Sequence, residues 1–323
     1  MGGLGTRRTD ITRDDGTWAG LYLEVRAPRR PGLCLFSAER RVLLARRSRP
    51  VLLARVDEDH CGVEFWRTDA HRSPVPPPRA ETARALAGDL GRWAHRLASH
   101  LLDAPGGPLH EGRWLITPES PLLRGNHGRR PEAEYWREML VEGHPDGYID
   151  WFVHNGSWEI LPLRPMPDAG DGRVKAYRKQ ARDGTLPPVL LWWVSGLDCH
   201  LVLDGHARLA AAIAESTAPP LLHLHRTAPG DEVAAGTARA VRRYEAELAR
   251  RAELRAVHGA AVPDGTATAG PALARRLREL RTASRPSWSW PLPGGAQQWH
   301  RVVEDVTAGR SWPGAGRPPA PPV

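Results

Sequence analysis

Residues 186–215 read LPPVLLWWVSGLDCHLVLDGHARLAAAIAE, and the order of residue types in that stretch decides the architecture. Pro187–Val194 is an unbroken apolar run of strand length, too short for a helix of its own. Asp198 marks a turn, and His200–Leu203 is a second strand. Asp204-Gly205 then breaks the pattern, and His206-Ala207-Arg208 opens an alanine-rich helix. Strand, turn, strand and helix therefore follow within thirty residues, with a glycine at the last junction. Asp204 is placed to N-cap the helix. Gly205 permits a sharp turn and a close backbone approach by a ligand. The first-turn N–H groups, with His206 and Arg208 beside them, make an anion site. The alternative is structural: an Asp-capped helix whose Arg208 pairs with a nearby acid.

Working outward, a helix near 173–183 closed by Gly184 precedes this unit, and a strand at Leu221–Arg226 follows it. Upstream, Asn155-Gly156 between Tyr148–Val153 and Trp158–Leu163 is the strongest hairpin signal in the chain, so the strand at 158–163 is expected to pair with the one before it. Pro131 with Glu132 and Glu134 starts a helix. Further back, alternating Leu21, Leu23 and Val25 and short runs to Arg67 read as an antiparallel meander. Ser73–Arg79 is a stiff, proline-rich spacer. Leu86, Leu90, Trp93, Leu97 and Leu101 form one face of a helix over about 80–102. Downstream come a long helix at Asp231–His258, a second near 271–283, and a connector with Trp288 and Trp290, which either pack the tail or anchor a partner. The resulting fold class is α+β. Its expected segments are a flexible arm at 1–17, a meander-plus-helix domain at 18–130, an α/β unit at 131–228, an arginine-rich helical extension at 229–306 and a disordered tail at 307–323.

Composition sets the outer limits. The 323 residues carry 45 basic and 37 acidic side chains, a net +8. All basic residues but Lys175 and Lys179 are arginine, as a high-GC coding sequence would write. The reading favours a solvated surface, with DNA contact by the 231–281 helices as the alternative. No apolar run approaches the ~18 residues that span a bilayer, so no membrane partner is expected. Three scattered cysteines and no apolar leader point to the cytoplasm. His223 and His225 share a strand face and could hold a transition metal, but a satisfied pair of sheet histidines is preferred, and no metal ligand is assigned.

The pattern of Gly184, Pro187-Pro188, two strands and Asp204-Gly205-His206-Ala207-Arg208 resembles the ParB/sulfiredoxin-like superfamily over about residues 158–226. Where sulfiredoxins carry a catalytic cysteine this chain has His206. Ala207 and Ala210 stand where ParB proteins have arginines. The turn is nearest to that of ParB-like free-serine kinases, which holds ADP phosphates. The resemblance implies a phosphate-bearing ligand, a nucleotide with Mg²⁺, bound by Asp204, Gly205, His206 and Arg208. If the protein is an enzyme, it implies phosphotransfer or nucleotide hydrolysis, with His206 as acid/base and Glu159, or failing it Asp168, as the carboxylate base. Two further readings stand beside it: a DNA-associated regulatory protein, and a catalytically silent interaction scaffold.

Overall fold

The computed structural model describes residues 5–26, 30–57, 61–118, 136–137, 139–141, 143–151, 159–263 and 265–308. The chain is an α+β protein built on two sheets. Sheet A has the order β1-β2-β7-β12-β10-β11-β9. Its members are β1 (Gly5–Thr12), β2 (Trp18–Arg26), β7 (Gly112–Thr117), β9 (Ile160–Pro162), β10 (Val189–Val194), β11 (Cys199–Asp204) and β12 (Leu221–Arg226). Sheet B is the antiparallel series β3 (Leu33–Ala38), β4 (Arg41–Arg46), β5 (Arg49–Val56), β6 (Gly62–Arg67) and β8 (Asp146–Asp150). The expected meander is therefore real from β3 to β6, while its first strand, β2, belongs to the other sheet.

The centre of sheet A is buried on both faces, which is why β10 reads as a continuous apolar run. Leu190, Trp192 and Val194 face one core with Leu201, Leu203, Leu222 and Leu224, against Leu35, Leu52 and Phe65 of sheet B. Val189 and Leu191 face the opposite side, with Val202 and Leu209. The outer face of sheet B is covered by α7 (Gly295–Thr307), whose Trp299 and Val302 pack on Phe36, Leu43 and Trp66.

The helix expected over 80–102 is divided into α1 (Ala80–Ala85) and α2 (Leu90–Asp103). Asp89 accepts from Arg92 N at 2.9 Å and starts α2 afresh, a cap worth about 1 kcal/mol. Trp93, Leu97 and Leu101 are buried in the inter-sheet core. Beyond the sheets, α3 (Gly172–Arg182) packs on α4 (His206–Ala214), with Val174 against the small side chains of Ala207 and Ala211. The predicted stop at Gly184 is present, with φ +67°. Finally, α5 (Gly230–His258) and α6 (Thr266–Thr282) form a helical hairpin in which Gly236 lies under Leu280.

Three expectations are corrected. The strand at 160–162 does not pair back on 146–150: β9 runs parallel to β11 in sheet A, and β8 pairs with β6 in sheet B. Asn155-Gly156 lies outside the described residues, and the strands on either side of it take partners far along the chain. The arm at 1–17 is not free, because Gly5–Thr12 pairs in register with β2 and Asp10 accepts from the Trp18 indole at 2.8 Å. A division near residue 130 does not separate two cores, because β2 and β7 are hydrogen-bonded into the same sheet as β12. The expected helix start at 131–134 and nearly all of the expected tail at 307–323 lie outside the described residues.

Candidate functional site

The turn at the end of β11 is shaped by a bulge and a glycine. Leu191 pairs with Val202 and Leu190 with Asp204, so Leu203 is an extra residue in β11. Such a bulge bends a strand and re-aims the side chains that follow. Gly205 then adopts φ +105° and starts α4 without a side-chain cap. A Cβ there would lie 2.7 Å from Arg208 Nη2 and 3.1 Å from Val189 Cα. Asp204 does not cap the helix as expected. Its Oδ2 accepts from Arg208 Nη2, one turn on, and its Oδ1 accepts from the Ser73 hydroxyl at 2.7 Å. The structural alternative weighed for Arg208 thus describes its observed partner. The first N–H groups of α4 have no acceptor within the helix.

The walls come from far away in sequence. Ser73 belongs to the proline-rich stretch read as a spacer; instead it packs on the turn, with Val75 buried in the core. Just before it, the ring of His71 lies 5.5 Å from that of His206. Arg67, at the end of β6, donates to the Pro162 carbonyl at 2.6 Å. Four of these groups are buried, Arg67 at 5% exposed, His71 at 3%, His206 at 2% and Arg208 at 3%, while Ser73 is exposed. Arg164, just beyond β9, is exposed and acts on both histidines through its charge.

The electrostatics follow from this packing. Burial, reinforced by Arg164, pushes His71 down to about 4. Burial, then His71, Arg164, Arg208 and Arg67, holds His206 well below its ordinary value. Both imidazoles are therefore neutral at pH 7, and His206 Nε2 has no hydrogen-bond partner. Burial also draws the Arg67 guanidinium down to about 10. Around one turn the protein gathers three arginines, two neutral imidazoles and Asp204, whose oxygens are already engaged.

The expected base is elsewhere. Glu159 O accepts from His200 N at 3.0 Å, which puts Glu159 at the Cys199 end of β11. Five strand residues, about 16 Å, separate that end from Asp204. Burial and Asp150 raise its carboxyl to about 7, but it does not face the turn. Asp168 lies in the exposed loop ahead of α3, where its carbonyl accepts from Asp171 N. The set does not fit a protein-held Mg²⁺ either, since its carboxylate is spent on Arg208 and Ser73 and cations surround it. Burial keeps His223 and His225 neutral, and His225 Nε2 contacts the Thr282 carbonyl at 3.1 Å. Among the described residues no three His, Cys, Asp or Glu side chains are grouped to hold a metal.

Sequence reading missed Arg67, His71, Ser73 and Arg164. Each lies in a segment whose local pattern says only strand end, spacer or loop, and only the tertiary fold brings them to Gly205. Comparison with protein-family models, with characterised proteins and with solved structures finds no match for this chain.

Proposed function

We propose that the Asp204–Arg208 turn binds a phosphate-bearing ligand, a nucleotide in the simplest case. The observation that carries this reading is the imbalance around the turn. Buried donors and cations from three chain segments converge there with the exposed Arg164, while Asp204 is already neutralised by Arg208. A buried donor without an acceptor is costly unless something supplies one, and His206 Nε2 is such a donor or acceptor in waiting. An anion on the N–H groups of α4 would meet the positive end of the helix dipole. Arg164, on the exposed side, marks the approach. The role proposed is binding without phosphotransfer, because neither carboxylate considered as a base lies at the turn.

The test is thermal unfolding with inorganic phosphate, ADP and CTP, repeated with His206→Gln and Arg67→Gln. Binding to the native state alone raises stability by about 2.7 kcal/mol at a hundred times Kd. We expect a concentration-dependent rise in Tm with at least one nucleotide, and affinity about ten-fold weaker in each variant. A Tm that stays flat to millimolar nucleotide and phosphate would sink the reading.

A second reading rests on α5. At about 100° per residue, Arg239, Arg242, Arg243 and Arg250 fall within an arc of about 100°, with Glu253 at its far end. All four are exposed. Arg250 has Glu247 at 3.9 Å, and the other three make no salt bridge among the described residues. We propose this stripe as a contact for a nucleic-acid backbone. Gel-shift affinity for duplex DNA should fall steeply with salt, with a slope near −0.9 for each phosphate neutralised. Absence of binding at low salt removes this second reading and leaves the first intact.

A further inference from the structure

β1 is the outermost strand of sheet A, and among the described residues nothing pairs with its far side. Other sheet edges are covered. Trp290 N donates to the Leu35 carbonyl of β3 at 2.9 Å, and Ile160 N of β9 donates to the Met139 carbonyl at 2.7 Å. β1 is eight residues long, and Arg7, Arg8, Thr9 and Asp10 are all exposed. An open edge of this kind is a template for another strand.

The groups this edge offers follow from the turn between β1 and β2. Arg13 N donates to the Thr17 carbonyl at 2.9 Å, so the odd-numbered residues of β1 bond towards β2. The bulge near the turn places its extra residue, Ala19, in β2 and leaves β1 regular. Alternation along an antiparallel strand then turns the N–H and C=O groups of Thr6, Arg8, Asp10 and Thr12 outward. The side chains of Arg8 and Asp10 share the face under α2. Arg8 Nη1 donates to Ser99 Oγ at 3.0 Å, and Asp10 Oδ1 lies 3.0 Å from His95 Nε2. A guanidinium has donors to spare after one such bond, and a carboxylate oxygen has more than one lone pair.

We infer that β1 is a dimerisation edge, which takes the β1 strand of a second copy of this chain as its antiparallel neighbour. A two-fold axis normal to the sheet keeps each face on its own side, so Arg8 and Asp10 meet residues that also lie under α2. Charge then selects the register. An axis at Arg8 sets that guanidinium against the partner's Arg8, and an axis at Asp10 sets carboxylate against carboxylate. Like charges directly opposite are destabilising. An axis at Thr9 avoids both: Arg8 lies opposite the partner's Asp10, Asp10 opposite the partner's Arg8, and Thr6 opposite the partner's Thr12. The same register pairs every outward-turned backbone group of these residues with one across the axis. The edge is therefore self-complementary in backbone and in charge. It belongs to the opposite side of sheet A from β11 and does not depend on the reading given for the Gly205 turn.

The experiment is sedimentation equilibrium of the full chain across dilutions from millimolar to micromolar. We expect a dimer that dissociates on dilution. Arg8→Asp sets acid against acid and Asp10→Arg sets base against base, so each variant alone should dimerise at least about ten-fold more weakly. An equimolar mixture of the two variants sets opposite charges together at both positions, and should recover the affinity of the parent chain. Arg8→Asp, a change at an exposed position, should keep the Tm of the dilute monomer. A parent chain that stays monomeric at millimolar concentration overturns the proposal. So does a dimer whose affinity survives Arg8→Asp, or a mixture no tighter than its components. If Asp10→Arg does not fold, Arg8→Pro replaces it: it removes an outward N–H, which an edge strand tolerates, and a dimer as tight as the parent's in that variant overturns the proposal alone.

Discussion

The His71 imidazole lies 5.5 Å from that of His206, and both are buried without charge among arginines. The pair belongs to a wider set. His110 and His225 are also pushed down to about 4, His223 to about 3, and His200 well below its ordinary value, in each case first by burial. Unfolding frees them to titrate near 6.5.

Stability should therefore be full above pH 6.5 and fall as pH drops from 6.5 towards 4. In that window the unfolded chain binds protons that the native chain refuses, and each such proton contributes a slope of about 1.4 kcal/mol per pH unit. Urea midpoints measured at pH 7.5, 6 and 5 check this. A midpoint unchanged between pH 7.5 and 5 contradicts it, and His206→Gln should flatten the profile by about one proton.

Arg208→Ala should cost about 3–5 kcal/mol, because Asp204 stays buried with Ser73 as its remaining partner. Removing both charges, as Asp204→Asn with Arg208→Ala, should cost less than Arg208→Ala alone. Urea unfolding of the two singles and the double gives the coupling energy directly. Additive costs would mean that the two residues do not act as a pair.

Gly205→Ala and Gly184→Ala both place a Cβ at positive φ, at +105° and +67°. A Cβ at Gly184 meets nothing within 4 Å, whereas one at Gly205 strikes Arg208. The Gly184 change should cost about 1–2 kcal/mol, the backbone strain alone. The Gly205 change should exceed it by at least about 1 kcal/mol, since a buried ion pair must shift. Equal midpoints for the two variants would show that the turn has room to spare.

A thiol-reactive chromophore should modify Cys61 at once in the native protein and leave Cys34 and Cys199 intact. Cys61 is exposed; the other two are buried, with burial raising Cys34 to about 11 and holding Cys199 well above its ordinary value. Denaturant should expose both. Rapid reaction of two or more thiols in buffer would contradict the packing of β3 or β11.

Legibility in the sequence tracked the range of the forces involved. The elements from Gly184 to Arg226 could be read because each is decided by its own residues: an apolar run, a glycine with positive φ, an alanine-rich helix. Asp204, Gly205, His206 and Arg208 do meet at one turn. The partner of β9 could not be read, since three residues of strand carry no information about which edge they join. Nor could Arg67, His71 and Ser73, whose place depends on sheet B lying against sheet A. Glu159 was misplaced because nearness in chain order said nothing about which end of β11 it would reach.

The strand order of sheet A has a consequence for how the chain is made. β2 finds its hairpin partner β1 at once, but its other neighbour, β7, is translated only at residues 112–117, and β7 in turn must wait for β12 at 221–226. The edge of β7 therefore leaves the ribosome long before the strand that covers it. During that interval a row of unpaired N–H and C=O groups borders Trp114, Leu115 and Ile116, all buried in the finished protein. Strand edges of this kind recruit wrong partners in nascent chains. A fragment that stops short of residue 221 therefore lacks the strand that closes this edge of β7.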